Sequence, residues 1–121
     1  MPIVTVEIVA GANAIAPDVA QALADAIGRA LESPPGQTWV RVGSLPRDRY
    51  AENEAALDAT HLPVFVTILK KQIPPLAELD GEVTAITDAV AQVIGRPAAC
   101  VHVEYAPAAS GRVAFGGILV Q

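Results

Sequence analysis

The sequence predicts an α+β domain in which tandem β-α-β units form one four-stranded sheet with two helices on a single face. Three observations lead there. The chain opens on Ile3-Val4-Thr5-Val6-Glu7-Ile8-Val9 behind Pro2, and β-branched residues of this kind suit a pleated, packed strand. The opening recurs as Pro63-Val64-Phe65-Val66-Thr67-Ile68-Leu69-Lys70, a period of about sixty residues that marks a supersecondary unit rather than low complexity. Each strand is followed by a helical stretch, and the two match as Leu23-Ala24-Asp25-Ala26-Ile27 against Ile86-Thr87-Asp88-Ala89-Val90.

The first strand reads as buried from its first residue. Pro17-Asp18 then suits a helix N-terminus, because proline lacks the N–H that would be unpaired there and the acid complements the dipole. Val19, Ala20, Leu23, Ile27 and Leu31, with Ala26 and Ala30, recur at helical spacing up to Glu32, while Asp25 and Arg29 lie four apart on another face. Ser33-Pro34-Pro35-Gly36 ends the helix. From Thr38 to Leu45 the pattern alternates as a strand, with Trp39, Arg41 and Gly43 on one side and Val40 and Val42 on the other.

That completes a first unit, residues 2–45. Residues 46–61 change character: Pro46-Arg47-Asp48-Arg49-Tyr50-Ala51-Glu52-Asn53-Glu54 is charged and reads as an exposed linker, with a short helical turn expected through Glu54-Ala55-Ala56-Leu57. The second unit and a C-terminal hairpin fill residues 62–121. Its strand runs from Pro63 to Leu69 and closes on Lys70-Lys71. Its helix starts at Pro74-Pro75, carries the stripe Leu76, Leu79, Val83, Ile86, Ala89, Val90, Val93 and Ile94, and stops at Gly95-Arg96-Pro97. Cys100 to Tyr105 is the fourth strand, and Gly116-Gly117 turns the hairpin. Right-handed crossovers place both helices on one sheet face. The other face, expected to be aliphatic, is left for contact with further copies of the chain.

At 121 residues the chain is expected to be a single domain with a real core. Hydrophobic residues make up 52% and charged residues 17%, too apolar for a disordered segment and enough to suggest that some surface faces other subunits. A net charge of −5 with eight basic residues argues against a nucleic-acid partner, which needs clustered Lys and Arg. No apolar run approaches the ~20 residues of a membrane span, and Glu7 interrupts the opening run in a way foreign to a secretory signal. Cys100 is the only cysteine, so no internal disulfide forms and a reducing cytoplasm is the default expectation.

Pro2 stands directly behind the initiator methionine, which a small second residue permits to be trimmed. Trimming makes Pro2 a free secondary amine at the head of a buried strand. A primary α-amine titrates near pH ~8, and apolar surroundings or nearby cations disfavour its protonated form. Such an amine is able to act as a general base near neutrality.

A terminal proline, a β-branched strand, an amphipathic helix, a proline turn at Pro34 or Pro97 and a second strand at Trp39-Val40-Arg41-Val42 or Val101-His102-Val103-Glu104 resemble the tautomerase superfamily over nearly the whole chain. The resemblance implies a trimeric, tautomerase/MIF-like fold and a cofactor-independent keto–enol isomerisation of a small-molecule 2-keto or enol acid, with Pro2 as base. It implies that Arg41, on the second strand, binds substrate. Ala12 stands where one-unit members carry another arginine, so a dicarboxylate held at both ends is not expected. In two-unit members cations after the third strand fill that role, and here these are Lys71, the preferred ligand, and Lys70. Lysine gives charge without a bidentate fork and suits carbonyl polarisation better than carboxylate recognition.

Further candidates are weaker. Arg49 and Tyr50 open the linker and are read either as a pocket cover or as solvated residues. His102 occupies the duplicate of the arginine's place, and Phe115 precedes the Gly116-Gly117 pair of a family-like tail. Pro63 copies Pro2 as an internal imide. An alternative keeps the site but runs hydration, dehalogenation or decarboxylation with Pro2 as acid and Glu52 or Glu104 activating water. Another is a non-catalytic binding protein, the outcome if Met1 is retained. No metal-ligand spacing, phosphate loop or Ser-His-Asp order is visible, and none is needed.

Overall fold

Strand alternation decides how the two halves of the chain meet. The computed structural model describes residues 2–11 and 15–121. In order these form β1 (Ile3–Ala10), α1 (Val19–Ala30), β2 (Trp39–Pro46), β3 (Val64–Leu69), α2 (Leu76–Ile94), β4 (Val101–Tyr105), β5 (Ala114–Phe115) and β6 (Ile118–Leu119), with 3₁₀ turns at Arg47–Arg49 and Ala98–Cys100. The sheet order is β2-β1-β3-β4. The outer pairs are parallel and the central β1–β3 pair is antiparallel.

Val4, Val6 and Ile8 of β1 lie opposite Ile68, Val66 and Val64 of β3. All six are at most 2% exposed, as are Leu23 and Ile27 of α1 and Ile86 and Val90 of α2. This is the core: two helices packed on each other over one sheet face. The predicted α+β architecture is what the chain adopts.

The opposite face is not the aliphatic surface expected from sequence. One register row across it reads Arg41, Thr5, Thr67, Glu104. Arg41 Nη2 donates to Thr5 Oγ1 at 3.1 Å, and Thr67 Oγ1 donates to Glu104 Oε1 at 3.4 Å. Side chains alternate between faces, so Val4, Val6 and Ile8 of β1 and Val64, Val66 and Ile68 of β3 go beneath the helices, and the outer face is mixed, with Ile3, Trp39, Phe65 and Leu69 beside polar Thr5, Glu7, Arg41, Thr67, His102 and Glu104.

Several local expectations shift. The turn after β2 falls at Arg47–Arg49, not at residues 54–57, and β2 extends through Pro46. Asp25 accepts from Gln21 Nε2 at 2.9 Å and forms no ion pair with Arg29. The connection from residue 46 to 61 is exposed except at half-buried Tyr50 and Leu57, and the Tyr50 ring lies 5.8 Å from that of Phe65 on the outer face. Gly116 and Gly117, at φ 57° and 86°, make the tight turn between β5 and β6.

The repeat also aligns differently in three dimensions. Phe65 pairs with His102 as Thr5 pairs with Arg41, and Val64 faces the core as Val4 does. The second-unit residue in the place of Pro2 is therefore Leu62, not Pro63. A one-residue slip would turn every side chain to the wrong face.

The two helices end alike but with different residues. α2 ends at Gly95, φ 76°, with the N–H groups of Gly95 and Arg96 both on the Ala91 carbonyl. At the end of α1 the left-handed position is taken by Glu32, φ 53°, and the Ser33 N–H reaches the Gly28 carbonyl at 2.8 Å. A side chain in this conformation is strained relative to glycine. Glu32→Gly is expected to raise unfolding stability by about 1 kcal/mol, read from urea denaturation midpoints with an unchanged slope.

Candidate active site

The entry to the sheet, beside the end of α1 and the end of β3, holds Pro2. The Pro2 carbonyl accepts the Trp39 N–H at 3.1 Å, which ties the residue to the start of β2. Pro2, half-buried, lines a cavity of about 520 Å³ together with Leu31, Glu32, Ser33, Pro34, Gln37 and Lys70. One wall is the strained end of α1 and the turn that follows. Across from it stands Lys70, delivered by the β1–β3 register, which sets Ile3 opposite Leu69.

Lys70 is held from behind. Its Nζ lies 2.7 Å from Glu82 Oε1, and the Tyr105 hydroxyl donates to Glu82 Oε2 at 2.5 Å. The Lys70 and Glu82 side chains are only 22% and 16% exposed. Burial, then the hydrogen bond to Glu82, then that carboxylate's charge push the Tyr105 phenol well above the usual tyrosine range, so it stays a donor. Glu82 was missed from sequence, although a signal was present. It stands three residues after Leu79 and four before Ile86, an acid beside the apolar stripe of α2.

The remaining predicted residues divide. Among the described residues the cavity wall includes Lys70 and not Lys71, whose side chain is exposed and whose carbonyl accepts the Ser110 N–H at 3.2 Å. Arg41 lies on the outer sheet face, bonded to Thr5. Tyr50 and His102 flank Phe65, with ring centroids 5.8 and 5.6 Å away. Phe65 is opposite Glu7 in register, about 17 Å along the strand from Pro2. Arg49 is exposed in the turn after β2. Phe115 packs edge-on to Trp39 at 5.3 Å, and Trp39 Nε1 donates to the Gly36 carbonyl at 3.0 Å. Phe115 thus touches the residue that anchors Pro2 and stands outside the cavity wall itself. Glu52 accepts from the Tyr50 hydroxyl at 2.6 Å, and Glu104 from Thr67. Neither lines the cavity; the acid that does is Glu32. The position compared through Ala12 lies outside the described residues.

Pro63 is buried, and Arg96 Nη1 donates to the carbonyls of Leu62 and Pro63 at 3.0 and 3.2 Å. The second unit's proline is thereby covered, and of the two only Pro2 lines the cavity described here.

No family model matches the chain, and no curated protein sequence does. Solved structures do match. A fused 4-OT in an asymmetric trimer superposes with TM-score 0.76 at 16% identity, over 97% of this chain and 94% of the other. Pt0534 inactivated by 2-oxo-3-pentynoate gives 0.74 at 15% identity, over 97% and 94%. The macrophage migration inhibitory factor from Trichinella spiralis gives 0.73 at 14% identity, over 97% and 98%. At these identities the likeness establishes a shared fold.

The Tyr105 environment has a measurable consequence. Its folded pKa lies above the unfolded value of about 10, so in the window above pH ~10 the unfolded chain releases a proton that the folded chain keeps. Stability is therefore full below that pH and falls as pH rises through it. Tyr105→Phe is expected to flatten the decline, followed by thermal melts between pH 8 and 11.

Proposed function

We propose, on the premise that this chain has the fold shared by tautomerases and macrophage migration inhibitory factors, that Pro2, freed by removal of Met1, is the general base of a cofactor-independent isomerase. Its substrates are small enolisable carbonyl compounds of the 2-keto-acid class. The observation that supports this most directly is that Pro2 and Lys70 line one cavity.

In this reading the Pro2 nitrogen takes a proton from the carbon next to a carbonyl, and the electron pair of that C–H bond moves to the carbonyl oxygen. Lys70 has three N–H donors. One goes to Glu82, and the others are free to meet the oxygen as charge develops on it. The prolinium then returns the proton to carbon or oxygen and regenerates the base. Leu31 and Pro34 supply apolar wall, and the Trp39 N–H keeps Pro2 at the mouth of the sheet.

Arg41 and Lys71 bind substrate in this proposal only where one copy meets another, in a homotrimer. Exposed Ile118, Leu119, Leu76 and Ile73 support such contacts, as does the trimeric assembly of the fused 4-OT. Light scattering of the purified protein is expected to give three chains per particle, and Leu119→Asp to shift it to monomers; a monomeric wild type rejects this part.

A second reading rests on Glu32. A carboxylate in the Pro2 cavity would activate water for hydration or decarboxylation, with prolinium as acid. The pH–rate profile separates the two: the base mechanism loses activity as pH falls, the acid mechanism as pH rises.

The direct test is at Pro2. Pro2→Ala is expected to lower enol ketonisation of phenylpyruvate by about a hundredfold or more with an unchanged circular dichroism spectrum. 2-Oxo-3-pentynoate, the compound that inactivated Pt0534, is expected to add its alkyne carbon to the Pro2 nitrogen, the amine proton passing to the neighbouring carbon. Peptide mapping should then find one reagent on Pro2. Full activity in Pro2→Ala, or an intact mass that retains Met1, removes the catalytic reading and leaves a binding protein on this scaffold.

A further inference from the structure

Lysine is a flexible donor, and the proposed reaction needs a fixed one. Its ammonium is a point charge on a four-carbon stem, whereas a donor stabilises a developing oxyanion best when it is oriented before the charge appears. Lys70 is held at both ends. Its carbonyl accepts the Ala109 N–H at 2.8 Å, its Nζ lies 2.7 Å from Glu82 Oε1, and Glu82 Oε2 accepts from the Tyr105 hydroxyl. Lys70 lines the Pro2 cavity, and neither Glu82 nor Tyr105 does. Those two side chains stand behind the ammonium, on α2 and at the end of β4, and reach the site only through it.

We infer that Glu82 and Tyr105 are positioning residues of the proposed Pro2 site: Glu82 holds the Lys70 ammonium at the cavity wall, and Tyr105 holds the Glu82 carboxylate. Each carboxylate oxygen has a different partner, so the carboxylate does not turn, nor Lys70 swing away, without breaking a hydrogen bond. The clamp is built from separate elements. Lys70 follows β3 directly, Glu82 belongs to α2, and Tyr105 ends β4 opposite Ile68, so sheet register and helix packing together set its geometry. Glu82 is also costly to desolvate, with its side chain only 16% exposed. Apolar packing generally gives as much stability as a buried ion pair. What an aliphatic side chain does not supply is an acceptor that draws one Lys70 N–H backward and leaves the others facing the cavity.

This role rests on the proposed Pro2 reading, and its test is the rate at which 2-oxo-3-pentynoate labels Pro2, followed by intact mass over a range of reagent concentrations. The Pro2 nitrogen bonds to the alkyne carbon, the displaced electron pair passes to the carbonyl oxygen that Lys70 meets, and the amine proton ends on the neighbouring carbon. A displaced Lys70 slows that step and leaves reagent binding nearly unchanged. Lys70→Met is expected to lower the maximal labelling rate about a hundredfold. Glu82→Gln is expected to lower it about tenfold and Tyr105→Phe about threefold, each with a half-saturating concentration within about twofold of wild type. In a Lys70→Met background, Glu82→Gln is expected to cost nothing further, because a residue that acts through Lys70 then has nothing left to position. An unchanged maximal rate in Glu82→Gln, or an equal loss with and without Lys70, overturns the inference. If Lys70→Met does not fold, Tyr105→Phe decides: an unchanged maximal rate, or a loss confined to the half-saturating concentration, overturns it. A wild type that takes up no reagent on Pro2 is the separate failure of the proline base, and removes the positioning role with it.

Discussion

The antiparallel pairing of β1 with β3 is the constraint on which the rest of the molecule depends. It joins two β-α-β segments into one sheet and buries six aliphatic side chains from facing positions. Its phase then dictates chemistry. With Ile3 opposite Leu69, Pro2 and Lys70 fall at the same end of the sheet and share a cavity. A slip of one residue would expose the core residues of one strand and carry Lys70 away from the proline. Core packing and site geometry are therefore set by the same register.

The Lys70–Glu82–Tyr105 cluster shows how a nearly buried carboxylate is tolerated. Desolvating an ion is costly unless it is paired and hydrogen-bonded, and here each oxygen has its own partner. Such a cluster adds little net stability compared with apolar packing. What it contributes is a fixed direction for the ammonium group and a defined charge at the cavity wall. The strained Glu32 at the end of α1 fits the same pattern, because strain is often held where a side chain is needed, and the other helix uses glycine in the corresponding turn.

The two halves of the chain are related but not equivalent. His102 stands in the second half where Arg41 stands in the first, and Leu62 where Pro2 stands. Arg96 covers the carbonyls of Leu62 and Pro63, whereas the ground beside Pro2 is open. Duplication thus builds a symmetric frame, while differences at single positions leave Pro2 lining a cavity.

Sequence by itself determined the elements and the α+β class, because hydrophobic period is a local property. Alternation in β1 and β3, and the stripes of α1 and α2, are readable from spacing with ends correct to within about two residues. Pro2 and the strand-end pair Lys70-Lys71 were legible as candidates, with Lys71 preferred, although it is Lys70 that lines the cavity with Pro2. Which partners these residues meet was decided only by the tertiary structure. Glu82 and Tyr105 lie 12 and 35 residues from Lys70 along the chain and reach it through helix packing and sheet register. Arg41 lies 36 residues from Thr5 along the chain and meets its hydroxyl only because β2 pairs with β1. Spacing says which face of an element a residue occupies; only the way the elements are stacked says what stands across from it.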